Sequence, residues 1–493
     1  KDGATIVVID PVRTVTADSA DWFVQPLPGT DGALALAMMH VLVRDDLIDD
    51  DYVERHTHGF EELRARLAEW PPERAAAICG LAVGDIERLA TAYGTIRPAA
   101  IRTLIGAEHR EHGAMFFRNL ACLPALVGAW KERGGGLCRS SGVWFADFVQ
   151  NAVTLDGGNG TRPRAINMNH LGRALTDPDL DPRIHALVVW GGNPLVTVPD
   201  SETIRRGLER DDLFTIVSEQ FLTDTARYAD VVFPATTQLE QRDVVTAWGH
   251  LYLGWNEPAI EPRGEAVPNT ELWRRLSRAM GFDDPALYAD DDELLDTALR
   301  PLTGDQREML RRDGFLRLPV ADDGPLFANG GFPTPDGRVA LYSERLAAEG
   351  HDPLPTWVPP REGPGGDPEL LRSYPLALMT TKSRSRFLNS SYSHLPKHGP
   401  LEGEPQLEID AADAAARGIS DGQAVRVWND RGELVVRAAV SDRVRSGMVT
   451  LPFGWWRADH GGTGSANSLT NDTLTDWGGG VAFHDTLVEV TPA

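Results

Sequence analysis

Apolar runs and amphipathic runs alternate along the first half of the chain. TIVVID (5–10) is continuously apolar, the pattern of a parallel strand covered on both faces. DGALALAMMHVLV (31–43) reads as a helix with Asp31 in the N-cap position and Thr30 before it. VGDIERLATAYGT (83–95) is a second amphipathic helix, and PAAIRTLIG (98–106) a strand. AMFFRNLACLPALVG (114–128) is an apolar helix interrupted by Pro124. ALVVWG (186–191), LFTIVSE (213–219) and ADVVF (229–233) resume the strand pattern, with SETIRRGLER (201–210) between them as a helix capped by Ser201. This βαβ alternation predicts a parallel sheet with right-handed crossovers. NTELWRRLSRAMG (269–281) is a helix closed by a C-terminal glycine.

The pattern then changes twice. Residues 282–372 are rich in Asp, Gly and Pro and weakly periodic, which reads as an insertion followed by a linker. After 374 strand-like stretches dominate, with one clear helix, DAADAAARG (410–418), and a turn at Asp430-Arg431-Gly432. The expected class is α/β, with parallel-sheet Rossmann-like domains and a C-terminal β-barrel. The expected boundaries are 1–95, 96–372 and 373–493.

Composition narrows the function. The chain has 493 residues and a formal net charge of -24, from 72 acidic and 48 basic residues. With no basic stripe to neutralise phosphates, a nucleic-acid partner is excluded. No apolar run reaches the ~18 residues of a membrane span, so no membrane insertion by this chain is expected. The three cysteines, Cys79, Cys122 and Cys138, form no CxxC pair and cannot build a four-thiolate cluster. The chain opens Lys1-Asp2-Gly3 directly into a core strand, which reads as a chain whose natural N-terminus lies upstream.

Candidate chemistry gathers at the strand ends. TIVVI ends at Asp10-Pro11, ALVVW at Gly191-Gly192-Asn193, FTIV at Ser218-Glu219 and DVVF at Pro234-Ala235-Thr236-Thr237. Ligands of open α/β sheets sit outside the carboxyl ends of the strands. Glycines admit a ligand close to the backbone, and Asp10 and Glu219 can accept from ribose hydroxyls or a purine amino group. At the tight turn Pro28-Gly29-Thr30-Asp31, a carboxylate suits the paired N–H donors of guanine rather than a phosphate. Glu108-His109-Arg110-Glu111-His112 lacks the HExxH zinc spacing, so its histidines read as solvated or cofactor-lining. GxSxG, GxxxxGK[ST] and a GxGxxG after a strand are all missing, which sets aside a serine hydrolase, a P-loop enzyme and a nicotinamide-dependent enzyme.

Three ordered stretches resemble the molybdopterin oxidoreductases of the dimethyl-sulfoxide-reductase superfamily. They are TIVVIDPVRTVTADSADWFVQPLPGTDGALALAMMHVL, VVWGGNPLVTVPD and FLTDTARYADVVFPATTQLEQRD. The region from PLALMTTKSRSRFLNSSY onward is similar to that family's dinucleotide-binding barrel, of double-psi type. The resemblance implies two molybdopterin guanine dinucleotides holding one molybdenum or tungsten. It places Asp10, Pro11, Arg13, Gly29, Thr30 and Asp31 at one guanosine, and Asn193, Ser218, Glu219 and Gln241 on the cofactor from the other half of the sheet. Ile105 and His109 stand where relatives often carry Met and Gln, with His109 near the metal. In the barrel it implies Thr381, Lys382, Ser383, Phe387, Asn389 and Ser390 in a first cofactor loop, and Trp455, Asn467, Phe483 and His484 in later ones.

The same resemblance implies His109 or Arg110 as acid–base or substrate-orienting groups and no metal ligand from this chain. It implies a 4Fe-4S cluster only where an upstream region is present. A small-molecule substrate, a formate-dehydrogenase-like activity, an electron-transfer partner subunit and a cytoplasmic location are the corresponding expectations. The alternative is a subunit of the same fold that has lost its cofactor and serves a structural or electron-transfer role.

Overall fold

The computed structural model describes residues 3–150, 163–320, 324–383, 389–392 and 394–493. The predicted Phe387 lies outside these. Strand β1 (Val7–Ile9) pairs in parallel with β2 (Trp22–Val24) and leads through a tight turn into helix α1 (Asp31–Arg44). The first strand is shorter than its apolar run, and only two strands make this sheet. Ile6 and Ile9 therefore stay about 40 % exposed rather than covered on both faces (37% and 41%). Thr30, not Asp31, occupies the helix N-cap. Its hydroxyl donates to Leu27 O at 2.7 Å, which turns it away from the helix amides.

Helix α1 is apolar around most of its circumference, and Ala33 to Met39, Val41 and Leu42 are all buried. Helix α2 (Val83–Thr95), matching its periodic stretch residue for residue, packs on it through Ile86, Leu89 and Ala90. Helices that are apolar all round belong in the centre of a domain. Truncating Leu36 or Leu42 to Ala there would cost about 2–5 kcal/mol. Strand β3 (Ala100–Arg102) is followed by helix α3 (Gly113–Leu126) and then by β4 (Gly136–Cys138), which pairs in parallel with β3. Pro124 sits in the last turn of α3, so it ends the helix rather than splitting it.

The second parallel sheet has the order β5 (Ala186–Trp190), β6 (Phe214–Glu219), β7 (Val231–Pro234). Between β5 and β6 lie α4 (Pro194–Thr197) and α5 (Ser201–Leu208). The cap of α5 is Asp200, which accepts from Thr203 N; Ser201 is the first helical residue. Two adjacent residues both suited to capping explain the one-residue shift here and at Thr30-Asp31.

The stretch 282–372 is more than a linker. Strands β8 (Asp243–Val245), β9 (Tyr252–Asn256) and β10 (Phe315–Arg317) form an antiparallel sheet over a core of Leu253, Leu299, Leu302, Leu310 and Leu316. Further on, Val339–Ala340 pairs in parallel with Thr57–His58, and Asn119 Nδ2 donates to Thr356 O at 2.9 Å. This segment therefore closes the first α/β region.

Six strands close the C-terminal barrel: β11 (Leu376–Thr381), β12 (Gln406–Ile409), β13 (Ala424–Trp428), β14 (Glu433–Val440), β15 (Met448–Pro452) and β16 (Leu487–Pro492). The order is β11-β15-β12-β14-β13-β16, with parallel pairs β11/β15 and β12/β14. The expected α/β class with a terminal barrel is what the fold contains. Crucially, both sets of strand tips face the barrel. Beyond β1, Val12 is buried among Ala377, Met379, Val444 and Leu487, and Arg13 N donates to Arg443 O at 2.8 Å. Beyond β5, Val196 O accepts from Asn467 Nδ2 at 2.7 Å.

Candidate functional site

The site is a seam between strand tips and barrel, with two ends and a centre. At the first end the turn before α1 needs Gly29 in the left-handed region, φ +78°. A Cβ there would lie 3.2 Å from Arg110 Nη1, so only glycine combines this backbone with this approach. Gly29 O accepts from Trp357 Nε1 at 2.9 Å. Asp31 opens the helix and, with Gly29, Arg110, Met115, Trp357 and Asp485, lines a small cleft.

Asp10, at the tip of β1, is close enough to Asp31 for the two charges to interact. Burial raises Asp10 to about 6; the bond from Val12 N opposes this, Asp31 adds to it and Arg110 opposes it. Burial also raises Asp31, against the pull of Arg110. Two carboxylates held in this way seek hydrogen-bond donors. Of the residues expected at this end, Gly29 and Asp31 line the cleft and Asp10, Pro11, Thr30 and Arg13 do not. Pro11 O accepts from Gln25 Nε2, and the Arg13 guanidinium pairs with Asp18 at 2.8 Å on the surface. The Thr30 hydroxyl is spent within its own turn.

The centre is built from one short turn and the barrel mouth. Ile105–Glu108 forms a single helical turn that delivers His109. The His109 ring lies 4.4 Å from that of Phe483 and 5.5 Å from that of His484. His484 Nδ1 bonds Gly106 O at 2.9 Å, which assigns the proton to Nδ1. Lys382, just past β11, donates to Asn389 Oδ1 at 2.9 Å and stands 4.6 Å over the Phe453 ring. Burial lowers the Lys382 ammonium. It also pushes His109 down to about 4, helped by Lys382, Arg110 and Arg139, so His109 is neutral at pH 7.

Arg110 is placed differently from His109. Its Nη1 meets Asp485 at 2.6 Å and His484 O at 3.0 Å, and its Nη2 meets Met379 Sδ at 3.1 Å. The guanidinium is buried and committed to the barrel. Its buried charge is paired with the Asp485 carboxylate.

At the second end Gly191, φ +57°, has open space where a side chain would stand. Asn193 is buried. Its Oδ1 accepts from the Thr225 hydroxyl at 2.8 Å and from Thr225 N at 3.2 Å, while its Nδ2 has no hydrogen-bond partner among the described residues. Ser218 is buried and its carbonyl accepts from Gly191 N. Burial raises Glu219, whose Oε1 accepts from Gln220 N. Gln241 Oε1 accepts from the Thr236 hydroxyl at 2.7 Å, so the small hydroxyls after β7 serve the turn itself. Asn467 uses its amide nitrogen on Val196 O and its oxygen on Thr470, and thereby holds the barrel against α4. Trp455 is buried, Thr381 ends β11, and Ser383 and Ser390 adjoin Lys382 and Asn389 in the chain.

Against this geometry the comparisons with known proteins are decisive. The Molybdopterin oxidoreductase model matches residues 1–279, and the Molydopterin dinucleotide binding domain model matches residues 376–487. The chain belongs to the molybdopterin oxidoreductase family.

Among the relatives of this oxidoreductase, Probable oxidoreductase YoaE of Bacillus subtilis is 40% identical, over 99% of this chain and 71% of its own length. The F420-dependent formate dehydrogenase subunit alpha of Methanocaldococcus jannaschii is 28% identical, over 96% and 70%. The dimethyl sulfoxide/trimethylamine N-oxide reductase of Cereibacter sphaeroides is 29% identical, over 92% and 61%. The solved acetylene hydratase of Pelobacter acetylenicus shares the fold, with a TM-score of 0.80 at 22% identity over 100% of this chain and 74% of that one.

The family implies a metal-bearing molybdopterin, and the residues present fit such a group. An unused buried amide at Asn193, an open glycine beside it, paired carboxylates at the far end and a cation among aromatic rings between them match a long polar molecule. Sequence reading missed Asp485, Trp357, Thr225 and Gly454. A Cβ at Gly454 would lie 1.7 Å from Asn389 O, so this glycine lets the Lys382 partner sit where it does. Asp485 follows two residues that were singled out, and that adjacency was its one signal.

Proposed function

We propose that the protein is a two-electron oxidoreductase of a small molecule that holds two molybdopterin guanine dinucleotides and one molybdenum or tungsten ion along this seam. Asp10, Gly29 and Asp31 would receive one guanine, whose paired N–H groups match two carboxylates. Gly191, Asn193, Ser218 and Glu219 would receive the cofactor at the other half. Lys382 would meet its phosphates, and Phe483 would pack on a flat ring. When bound, the pterin-held metal supplies the exchange of electron pairs. Around it the chain's own residues bind, orient and exclude water. His109, neutral at pH 7 and walled by Phe483 and His484, can accept a proton or a hydrogen bond from a substrate group. Arg110 keeps the His109 turn on the barrel rather than acting on substrate.

The observation that carries this reading is that the tips of both parallel sheets contact the C-terminal barrel, through Val12 and Arg13 at one and Val196 at the other. An iron–sulfur cluster, an electron-transfer partner and a cytoplasmic location belong to the same proposal. The cluster needs thiolates other than Cys79 and Cys122, which are buried with their thiols pushed up to about 12 and about 11. No helix among the described residues is long and apolar enough to cross a membrane.

Elemental analysis of protein expressed from its full gene, with guanine nucleotide released by acid hydrolysis, tests the proposal. About two guanine nucleotides per metal atom is the expected result. Protein with neither would instead support the cofactor-free subunit.

A further inference from the structure

Helix α3 starts directly after the His109 turn and has no cap of its own, since His112 makes no side-chain bond to its amides. The barrel supplies the cap. Asp476 Oδ1 accepts from Ala114 N at 2.9 Å and its Oδ2 from Met115 N at 3.0 Å. The capping turn is itself fixed. Asp476 N donates to Glu111 O at 2.7 Å, and the Thr475 hydroxyl accepts from Gly480 N at 2.8 Å. His484 N donates to His109 O at 3.1 Å, and Asp485 Oδ2 accepts from Glu111 N at 2.6 Å. The turn that carries His109 is therefore tied to the barrel at its start, middle and end.

We propose that Asp476 is a positioning residue for His109. By capping α3 across the seam it fixes where the preceding turn begins and ends, and so holds the His109 ring against Phe483. The proposal rests on the reading of His109 as lining the reaction site. Two features separate it from a general structural role. Asp476 is only partly buried, and the buried Arg110–Asp485 pair is a separate tie of the same turn to the barrel, so the loss of Asp476 is expected to act locally. A carboxylate at a helix N-terminus also satisfies orphan amides and the helix dipole together, a directional effect on the first turn.

The test uses the purified holoenzyme with Asp476→Ala and Asp476→Asn. In Asp476→Ala, hydrogen exchange of the Ala114 and Met115 amides should quicken by about tenfold, the scale of a lost cap, with exchange in the barrel strands unchanged. Metal and guanine contents should match wild type, while the electron paramagnetic resonance spectrum of the half-reduced metal shifts. Asp476→Asn keeps one acceptor oxygen and should restore most of both signals. Unaltered exchange in Asp476→Ala would overturn the proposal. So would faster exchange with an unaltered spectrum, which would make Asp476 a cap and nothing more. A wild-type protein without metal would overturn the proposed function and this inference together, whereas a metal-loaded wild type with a silent variant overturns this inference alone.

Discussion

The two ends of the seam solve one problem with different chemistry. At the first, Asp10 and Asp31 stand together as acceptors, and the wall behind them is locked by the buried Arg110–Asp485 pair. At the second, Asn193 keeps an unused donor and the lock is a neutral bond to Thr225. Both sheets leave apolar residues exposed, Ile9 at 41% behind the first end and Trp190 at 53% behind the second. The contrast teaches that one seam can be locked by a buried charge pair at one end and by a neutral hydrogen bond at the other.

The largest break in that contrast should come from Asp485→Ala, which strands the Arg110 charge in the interior. We expect a loss of about 3–5 kcal/mol in urea denaturation. Asn193→Ala, at the neutral lock, should cost about 1–3 kcal/mol, because Thr225 then loses its acceptor. A near-equal loss at the two positions would erase the distinction between the ends.

Titration sharpens the contrast. Asp10 is raised to about 6 from 3.8, so below pH ~4 both folded and unfolded chains hold the proton. Between pH ~4 and ~6 the unfolded chain ionises first, so stability falls as pH rises, by on the order of 3 kcal/mol, and the deficit persists above pH 6. Asp10→Asn should flatten that slope in denaturation curves taken at pH 4.5 and 7. A bound base with paired N–H donors should flatten it too, by favouring the ionised form. The smallest effect belongs to Arg13→Ala. Its pair with Asp18 is about half exposed, so less than about 1 kcal/mol should be lost and guanine content should not change.

Legibility in the sequence followed the reach of each interaction. Helix α2 was readable to the residue because its apolar stripe and its boundaries are local, and Gly281 marks the end of the 269–280 helix for the same reason. The caps of α1 and α5 were displaced by one residue because two adjacent side chains could each have served. The 282–372 stretch hid its fold because the leucines of its core are scattered among acidic residues. At the site, glycines and carboxylates at strand tips were visible, since turn chemistry is local. The roles of Arg110 and Asn467 were not, because each depends on a partner chosen by the fold. Arg110 and Asp485 lie 375 positions apart.

The most direct measurement is the anomalous diffraction of holoenzyme crystals at the molybdenum or tungsten absorption edge, read with the density of the bound nucleotides. The account predicts one metal peak in the barrel mouth beside His109 and Phe483, with one guanine on Asp10 and Asp31. A metal peak away from that mouth, or guanine density that avoids both carboxylates, would contradict it.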